Sequence, residues 1–360
     1  MDASAAPARH GLARGPHSHR LLHAARERLQ KSGLKLIGYV LLAYLVLKLI
    51  PGLEQALGSL ERVSWKWVLG AFALETLSEV GFVMSWRAIV DPDDLLGGEG
   101  RGRRMGTRAA WAQLGGGMLV PGGSLSGVGA GAWILHHFGM PDKLIAEREF
   151  NLSFLNTAID GLALITFGVA LAIGLFPGAR RLELTLLPAV LAAVGVAAAL
   201  LIARRAEVFA KRAQAVHPKV ATSITTLAAA IEDTARILFH RGGYKAIIGA
   251  IAYLGFDVLV LWSAFAAIHT HPVPSFAVVV MAYIIGALGG TLPLPAGIGS
   301  IGGMVGMLIA FGVAHNAAVA AVLIYQAIGQ LVPLIGGTIA YVFLRRRLGP
   351  MHGSAEASIP

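Results

Sequence analysis

The sequence contains no cysteine and few charged side chains, and each shortage excludes classes of protein. Without a thiol, the 360-residue chain forms no disulfide framework, thiolate zinc site, Fe–S cluster or cysteine nucleophile. Charged residues make up 14% of the chain and hydrophobic residues 56%, whereas soluble domains carry about 25% charged residues. Together with a mean hydropathy of +0.67, this composition predicts an all-α polytopic membrane protein.

Several motifs of enzymes and metalloproteins are also missing from the sequence. It contains no GxxxxGK[ST] phosphate loop, so we expect no direct ATP hydrolysis. Twelve histidines include no HExxH motif, and the adjacent His136 and His137 point in different directions on a helix. No nucleophile–base pair is visible. We therefore expect no metal, no cofactor and no catalytic activity.

Long apolar stretches dominate what remains. Six are long enough to cross the roughly 30 Å hydrocarbon layer. They lie at about 34–50, 65–89, 151–176, 184–203, 246–268 and 317–344. Two further apolar stretches, 109–140 and 276–313, are interrupted in the middle by glycine and proline.

Lysine and arginine are distributed unevenly among the loops. Residues 1–35 hold seven of them, 90–108 four and 204–245 eight, whereas 269–275 holds none. Basic residues are enriched in cytoplasmic loops. This rule places both termini, residues 1–33 and 345–360, in the cytoplasm of a multi-pass protein of the inner (plasma) membrane.

The charge pattern requires that neither interrupted stretch crosses the membrane completely. If 109–140 did so, the eight basic residues of 204–245 would lie outside. We therefore predict two re-entrant hairpins, whose irregular backbone must be buried in protein or line a polar cavity. The predicted organisation is a first repeat over 34–176 and a second, inverted repeat over 177–344. Within 204–245, apolar residues at helical spacing predict an amphipathic connector, either on the inner leaflet or solvated.

The two interrupted stretches resemble each other in sequence. LGGGMLVPGGSLSGVG (114–129) aligns without gaps to LGGTLPLPAGIGSIGG (288–303) at an offset of 174 residues. The identical pairs include Pro121/Pro295, Gly123/Gly297, Ser126/Ser300 and Gly129/Gly303. The alternative is two unrelated glycine-rich turns.

These segments also resemble a known family. VPGGSLSGVGAGAWILHHFGMP (120–141) and LPLPAGIGSIGGMVGMLIAFGV (292–313) are similar to the paired Pro-Gly motifs of the flippase-like transmembrane domain of lysylphosphatidylglycerol synthases. Stand-alone, hopanoid-associated membrane proteins belong to the same family. Asp160, Asp257 and the pair Gly336-Gly337 also lie where family features are expected. The resemblance implies translocation of a phospholipid or isoprenoid-type lipid between leaflets.

The chain departs from the family pattern at charged positions. Gly127, Val128 and Gly129 follow the first motif, where an acidic and a basic residue are usual. Gly302 or Gly303 ends the second motif, where glutamate is common. No soluble synthase domain is visible, so the resemblance does not imply aminoacyl transfer.

The hairpin turns are the first candidate site. A helix N-terminus presents free N–H groups and a partial positive charge, so two of them meeting at the midplane bind an anion such as phosphate. Serines near both starts are candidate N-caps, and the glycines allow close approach; the alternative is that they only permit tight helix packing. The predicted substrate-binding residues are Pro121, Gly122, Gly123, Ser124, Ser126, Gly129, Pro295, Gly297, Gly299 and Ser300.

Acidic residues within the apolar stretches are the second candidate site. Glu75 and Glu79 share one helical face, and Asp160 and Asp257 lie mid-span in opposite halves. Intramembrane acids contact substrates or couple protons, unless they only bond neighbouring helices. Arg148, in the cluster Glu147-Arg148-Glu149, either contacts a lipid head group or belongs to a locally paired interfacial cluster.

Three functions remain open on the sequence. The first is a lipid translocase whose partners are membrane lipids with an anionic or phosphate-bearing head group, acting alone or as a homo-oligomer without nucleic acid. The second is an ion-coupled carrier of a small solute. The third is a non-catalytic membrane subunit of a lipid-modifying enzyme.

Overall fold

The computed structural model describes residues 63–94, 96, 102–119, 124–178, 181–205, 243–289 and 298–348. Between 206 and 242 it also describes residues 208, 209, 211, 225, 228, 229, 231, 232 and 234–236. All of these residues belong to one compact unit, in which helices and connecting turns are the only structure present. The predicted first span, 34–50, both tails and most of the 204–245 connector lie outside the described residues.

Nine α-helices have bounds in this part of the chain, and the residues described between 208 and 236 are helical as well. The nine are α1 (Trp65–Val90), α2 (Gly102–Leu119), α3 (Ser124–His137), α4 (Asp142–Ala172), α5 (Leu182–Arg204), α6 (Tyr244–Ala267), α7 (Phe276–Leu288), α8 (Ile298–Ala310) and α9 (His315–Leu348). Five of them, α1, α4, α5, α6 and α9, are long and apolar enough to cross a membrane. The prediction of an all-helical polytopic membrane protein is therefore confirmed.

Two helices begin earlier than their hydropathy predicts. α4 begins at Asp142 instead of 151, and α2 begins at Gly102 instead of 109. The first turns of both helices are polar, so a search for apolar stretches does not detect them. At α4 the extra turns are stabilised by Asp142 in the first turn, where a carboxylate interacts favourably with the helix dipole.

The two interrupted stretches each form a pair of packed helices. α2 and α3 are called hairpin 1 here, and α7 and α8 hairpin 2. The helices of hairpin 2 approach closely because a Cβ on Gly303 would lie 2.7 Å from the carbonyl oxygen of Gly286. At 1.5 Å per residue the 13-residue helices α7 and α8 reach roughly 20 Å, less than the roughly 30 Å hydrocarbon layer.

The sequence offset between the two stretches reappears in the helix boundaries. α2 begins at residue 102 and α7 at 276, and α3 begins at 124 and α8 at 298, so both differences, 276 − 102 and 298 − 124, are 174. The following long helices, α4 and α9, begin at 142 and 315. Helix order and spacing therefore recur along the chain.

Helix packing shows the same correspondence. Let α1, α2, α3 and α4 correspond to α6, α7, α8 and α9. α1 then packs on its own counterpart α6, and the contact of α2 with α9 corresponds to the contact of α7 with α4. The contacts of α1 with α2, α4 and α9 correspond to those of α6 with α7, α9 and α4.

The buried apolar side chains form two clusters. One is built mainly from α6, α7, α8 and α9 and includes the fully buried Phe265 and Met281. The other joins α1, α2, α3 and α4 around Trp86 and Leu135, which are also fully buried. By contrast, α5 leaves most of its large apolar side chains exposed, as a lipid-facing helix does.

Candidate functional site: a buried acidic cluster

The two glutamates of α1 are buried inside the helix bundle. Glu75 and Glu79 each have 3% of their surface exposed and lie one turn apart on α1, which packs on α6. Between them, the Ser78 hydroxyl donates a hydrogen bond of 2.8 Å to the carbonyl oxygen of Tyr253 on α6. This bond joins the two helices beside the carboxyl groups.

The carboxyl group of Asp257 on α6 is bonded to two tyrosines. Its Oδ2 accepts hydrogen bonds from the hydroxyl groups of Tyr283 on α7 and Tyr325 on α9, the second at 3.3 Å. Only 6% of Asp257 is exposed. Its other oxygen, Oδ1, is buried and has no donor among the residues that the structure describes.

These acids belong to one electrostatic group. Asp257 interacts electrostatically with Glu75 and Glu79 of α1 and with Asp160 of α4. A Cβ on Gly329 of α9 would lie 3.7 Å from Glu75 Oε1, so this carboxyl group faces α9. We call Glu75, Glu79, Asp160 and Asp257 the acidic cluster, around which α1, α4, α6, α7 and α9 converge.

The acidic cluster has no positively charged partner within the described part of the chain. The ion pairs found there join Arg87 to Asp94, His136 to Asp142, Lys143 to Glu147 and Arg236 to Glu232. Buried oxygens of Glu75, Glu79 and Asp257 also lack a hydrogen-bond donor from those residues. Carboxylates buried without partners carry a large desolvation cost, which a proton or a cationic ligand group removes.

The hairpin turns themselves lie outside the described residues. This applies to five predicted residues: Pro121, Gly122, Gly123, Pro295 and Gly297. The helices that follow the turns begin at Ser124 and Ile298. Ser124 is the first residue of α3, and Ser126 and Ser300 each occupy the third position of their helix. Both lie in the first turn of their helix.

The glycines of the hairpins have different surroundings. Gly129 is exposed, and a Cβ there would meet no atom within 4 Å, so helix packing does not require a glycine at this position. A Cβ on Gly289, the C-cap residue of α7, would overlap the carbonyl group of Gly299 on α8. Close packing therefore explains the glycine at 289 but not the one at 129.

The Glu147-Arg148-Glu149 segment does not form the locally paired cluster that its sequence suggested. Arg148 Nη1 donates a 2.6 Å hydrogen bond to the carbonyl oxygen of Ile89 at the end of α1. Glu149 is 4% exposed and accepts a 2.8 Å hydrogen bond from Gln113 of α2. Glu147 faces Lys143, one turn earlier on α4, at 3.9 Å. The three side chains thus have three different partners.

Sequence reasoning missed the neutral polar residues around the acids. Tyr283 and Tyr325 bond Asp257, and Gln113 connects Trp86 to Glu149. A survey of every polar side chain within the apolar stretches, instead of the charged ones alone, would have found Gln113 and the tyrosines. Their partners, however, depend on which helices are neighbours.

Comparison with known proteins identifies the family. The family described as "Lysylphosphatidylglycerol synthase TM region" matches residues 35–337. The chain belongs to this family. No curated protein matches the sequence.

Membership of the lysylphosphatidylglycerol synthase TM region confirms the resemblance inferred from 120–141 and 292–313. The match covers both hairpins and every member of the acidic cluster. It also extends over the spanning helices as far as Gly337, where α9 contacts hairpin 1. Family and fold together indicate a multi-pass membrane protein with a membrane lipid-related function.

Proposed function

We propose that this protein is a lipid translocase that moves a phospholipid or isoprenoid-type lipid between leaflets through a groove between the two hairpins. The lipid tails remain in the bilayer while the head group passes along polar side chains. The observation that carries the proposal is the acidic cluster inside a member of this family, because buried carboxyl groups without a positively charged partner are typical of the path of a polar group or an ion. The translocation proposed involves no covalent chemistry and no cofactor.

In this proposal the two hairpins are re-entrant and the two halves form an inverted repeat. The 174-residue recurrence of helix starts and the reciprocal packing of the two halves support a common plan. The basic residues at 90–108 and 204–245 support cytoplasmic termini in the inner (plasma) membrane. Transporters built in this way bind their substrate near the midplane, at the interface of the repeats.

The head-group site proposed here has two parts. The first turns of α3 and α8, with Ser126 and Ser300, offer backbone N–H groups to a phosphate-bearing head group. The acidic cluster offers carboxyl oxygens to a cationic group on the same lipid or to a coupling ion. Arg148 lies at the α1–α4 contact, so we assign it to positioning α4 and not to the lipid.

The acidic cluster also favours a second candidate function, an ion-coupled carrier of a small solute. Glu75 and Glu79 on α1 and Asp257 on α6 meet where the two halves pack on each other. A proton or cation bound there would link binding to movement of one half against the other. The two functions differ in substrate and not in the residues they use.

Reconstitution separates the two functions. Purified protein is inserted into vesicles that contain trace fluorescent lipids with anionic, zwitterionic or neutral head groups, and a membrane-impermeant quencher reports the lipid in the outer leaflet. A translocase exposes the inner-leaflet pool of at least one lipid within minutes, whereas protein-free vesicles and Glu79→Gln vesicles lag. No faster exposure of any lipid, together with uptake of a solute driven by an ion gradient, would reverse the order of the two candidates.

Single cysteines test the topology in a chain that has none of its own. Arg103 lies at the start of hairpin 1 and Lys143 follows hairpin 1, whereas His271 and Ala314 flank hairpin 2; all four side chains are exposed. We expect cysteines at 103 and 143 to react with an impermeant thiol reagent only from the cytoplasmic face, and those at 271 and 314 only from the opposite face. If 103 and 143 react from opposite faces, hairpin 1 crosses the membrane and the inverted repeat is wrong.

A further inference from the structure

A chain of buried hydrogen bonds joins hairpin 1 to two long helices of its own half. Trp86 Nε1 on α1 donates to Gln113 Oε1 on α2 at 2.7 Å, and Gln113 Nε2 donates to Glu149 Oε2 on α4 at 2.8 Å. All three side chains are at least nine-tenths buried. We call this chain tether 1.

The chemistry of the end groups fixes the orientation of the amide in tether 1. An indole N–H only donates, and a carboxylate only accepts, so the Gln113 oxygen must face Trp86 and its nitrogen must face Glu149. The second helix of hairpin 1 leaves room for this amide at Gly131, where a Cβ would overlap the Gln113 side chain. A glycine at position 131 therefore allows the Gln113 amide to lie between α2 and α3.

Hairpin 2 is joined to its own half in an equivalent way. Tyr283 on α7 and Tyr325 on α9 both donate to Oδ2 of Asp257 on α6. We call this arrangement tether 2. Tether 1 connects α1, α2 and α4, and tether 2 connects α6, α7 and α9, which are the corresponding helices of the second half.

The tethers correspond in helices but not in residues. At the 174-residue offset, Gln113 corresponds to Ala287 and Asp257 to Val83. In each tether, however, one carboxyl oxygen bonds a side chain of the first hairpin helix. The other oxygen, Glu149 Oε1 or Asp257 Oδ1, is buried and finds no donor among the described residues. The two halves thus make the same link with different side chains.

Apart from Arg108 of α2, whose guanidinium lies 5.0 Å from the centre of the Phe343 ring on α9, the contacts of each hairpin with the opposite half are of another kind. On α2, a Cβ on Gly115 would lie 2.7 Å from the Cα of Gly337 on α9. On α7, the Met281 methyl group lies 3.4 Å from the Cβ position of Gly168 on α4. Small and apolar surfaces of this kind have no directional bonds to break when one helix slides along another. The tethers, by contrast, consist of directional hydrogen bonds, which are buried in tether 1 and buried or half-buried in tether 2.

We propose that Gln113, Glu149, Tyr283 and Tyr325 are positioning residues that fix each hairpin to its own half. Each hairpin then moves with its half as one body and slides past the long helices of the other half. This inference deepens the proposed translocation and rests on it for its role in transport. The hydrogen bonds determine which helices move together, and this assignment does not depend on the substrate.

Exchanging the amide of Gln113 and the carboxylate of Glu149 between their two positions tests the proposal. In Gln113→Glu two carboxylates face each other, and like charges at hydrogen-bond distance repel. In Glu149→Gln the new amide oxygen still accepts from Gln113, so the tether remains and only the charge is lost. In the double variant Gln113→Glu/Glu149→Gln, the new glutamate accepts from both Trp86 and the new glutamine, so both bonds return and only the bond between residues 113 and 149 has donor and acceptor exchanged.

The readout is the position of the hairpin, with transport as the second measurement. Spin labels at Arg104 on α2 and Ser153 on α4, both exposed, report the distance distribution between hairpin 1 and its half. We expect one narrow distribution in the parent and in Glu149→Gln, a broad or shifted one in Gln113→Glu, and a narrow one again in the double variant. Lipid exposure should fall about tenfold in Gln113→Glu and return in the double variant.

Tether 2 provides an independent variant that removes a single hydroxyl group. Tyr283→Phe deletes one of the two donors to Asp257, and labels at Ala287 on α7 and Gln330 on α9 report hairpin 2. We expect this distribution to broaden while that of hairpin 1 stays narrow. Tyr283→Phe decides the question if Gln113→Glu does not fold.

The proposal is overturned by a narrow, unshifted distribution in Gln113→Glu or in Tyr283→Phe. It is also overturned by a folded double variant that remains broad, because a purely structural defect is not repaired by exchanging donor and acceptor. A parent protein that exposes no lipid but gives the expected distances would contradict the proposed function and leave the tethers supported.

Discussion

The contact between α1 and α6 depends on two glycines whose missing side chains allow the two backbones to meet. A Cβ on Gly81 would lie 2.7 Å from the backbone nitrogen of Tyr253 and 2.8 Å from the carbonyl oxygen of Gly249. Both neighbours are backbone atoms and cannot rotate away. We therefore expect Gly81→Ala to force α1 and α6 apart, whereas Gly70→Ala, on the same helix, meets no atom within 4 Å.

The two substitutions differ in one free-energy contribution. Both replace glycine by alanine inside α1, so both gain a similar helix propensity of about 1 kcal/mol, which cancels in their difference. Gly81→Ala alone adds overpacking, which costs about 1–3 kcal/mol and more when backbone must move. A difference of about 1 kcal/mol already changes the ratio of folded to unfolded protein roughly fivefold.

Unfolding in mixed micelles measures this difference. The protein is titrated with a denaturing detergent, and the fluorescence of the fully buried Trp86 and the other tryptophans reports loss of packing. We expect the midpoint of Gly81→Ala to fall and that of Gly70→Ala to stay or rise. Lipid exposure should also fall in Gly81→Ala because α1 and α6 carry Glu79 and Asp257. Equal midpoints for the two variants would refute the close-contact reasoning.

Two further predictions concern the proposed head-group site. Asp257→Asn and Glu79→Gln should lower lipid exposure several-fold more than they lower the yield of folded protein, since amides keep shape and most hydrogen bonds but cannot titrate; equal losses in both would indicate a structural role alone. At the turns, Gly123→Leu or Gly297→Leu should each block transport of phosphate-bearing lipids, and the two together should be little worse than either. Full-rate transport of phospholipid with leucine at both positions, measured in the same vesicles, would exclude the anion site.

Hydropathy, together with the glycine and proline residues that interrupt the apolar stretches, predicted most of the helix order. The segment 276–313 contains α7 and α8 within three residues of its ends, because apolar residues fill both helices and Ser275 caps the first. The start of α4 was placed nine residues too late because its first turns are polar. Burial of such turns depends on neighbouring helices, which a hydropathy window does not include.

The acidic cluster was predicted only as separate acids. Helical spacing places Glu75 and Glu79 on one face, but nothing in the sequence says that Asp257 reaches them from α6 or that two tyrosines bond it. Gln113 is a single amide in an apolar stretch, and its importance follows from its two partners on different helices. Interactions between helices distant in sequence depend on packing, and packing follows from the whole set of contacts.

The two halves share a backbone plan but supply different side chains to the centre of the molecule. At the offset of 174 residues, Glu75 and Glu79 correspond to Gly249 and Tyr253, and Asp257 corresponds to Val83. In a transport cycle of an inverted repeat, the inward-facing and outward-facing states differ by an exchange of conformation between the two halves. If both halves carried the same side chains, the two states would therefore have equal packing energy. Any preference for one state must therefore arise from side chains that have no counterpart in the other half. In the translocation proposed above, the unmatched acids of α1 and α6 are the side chains from which we expect such a preference to arise.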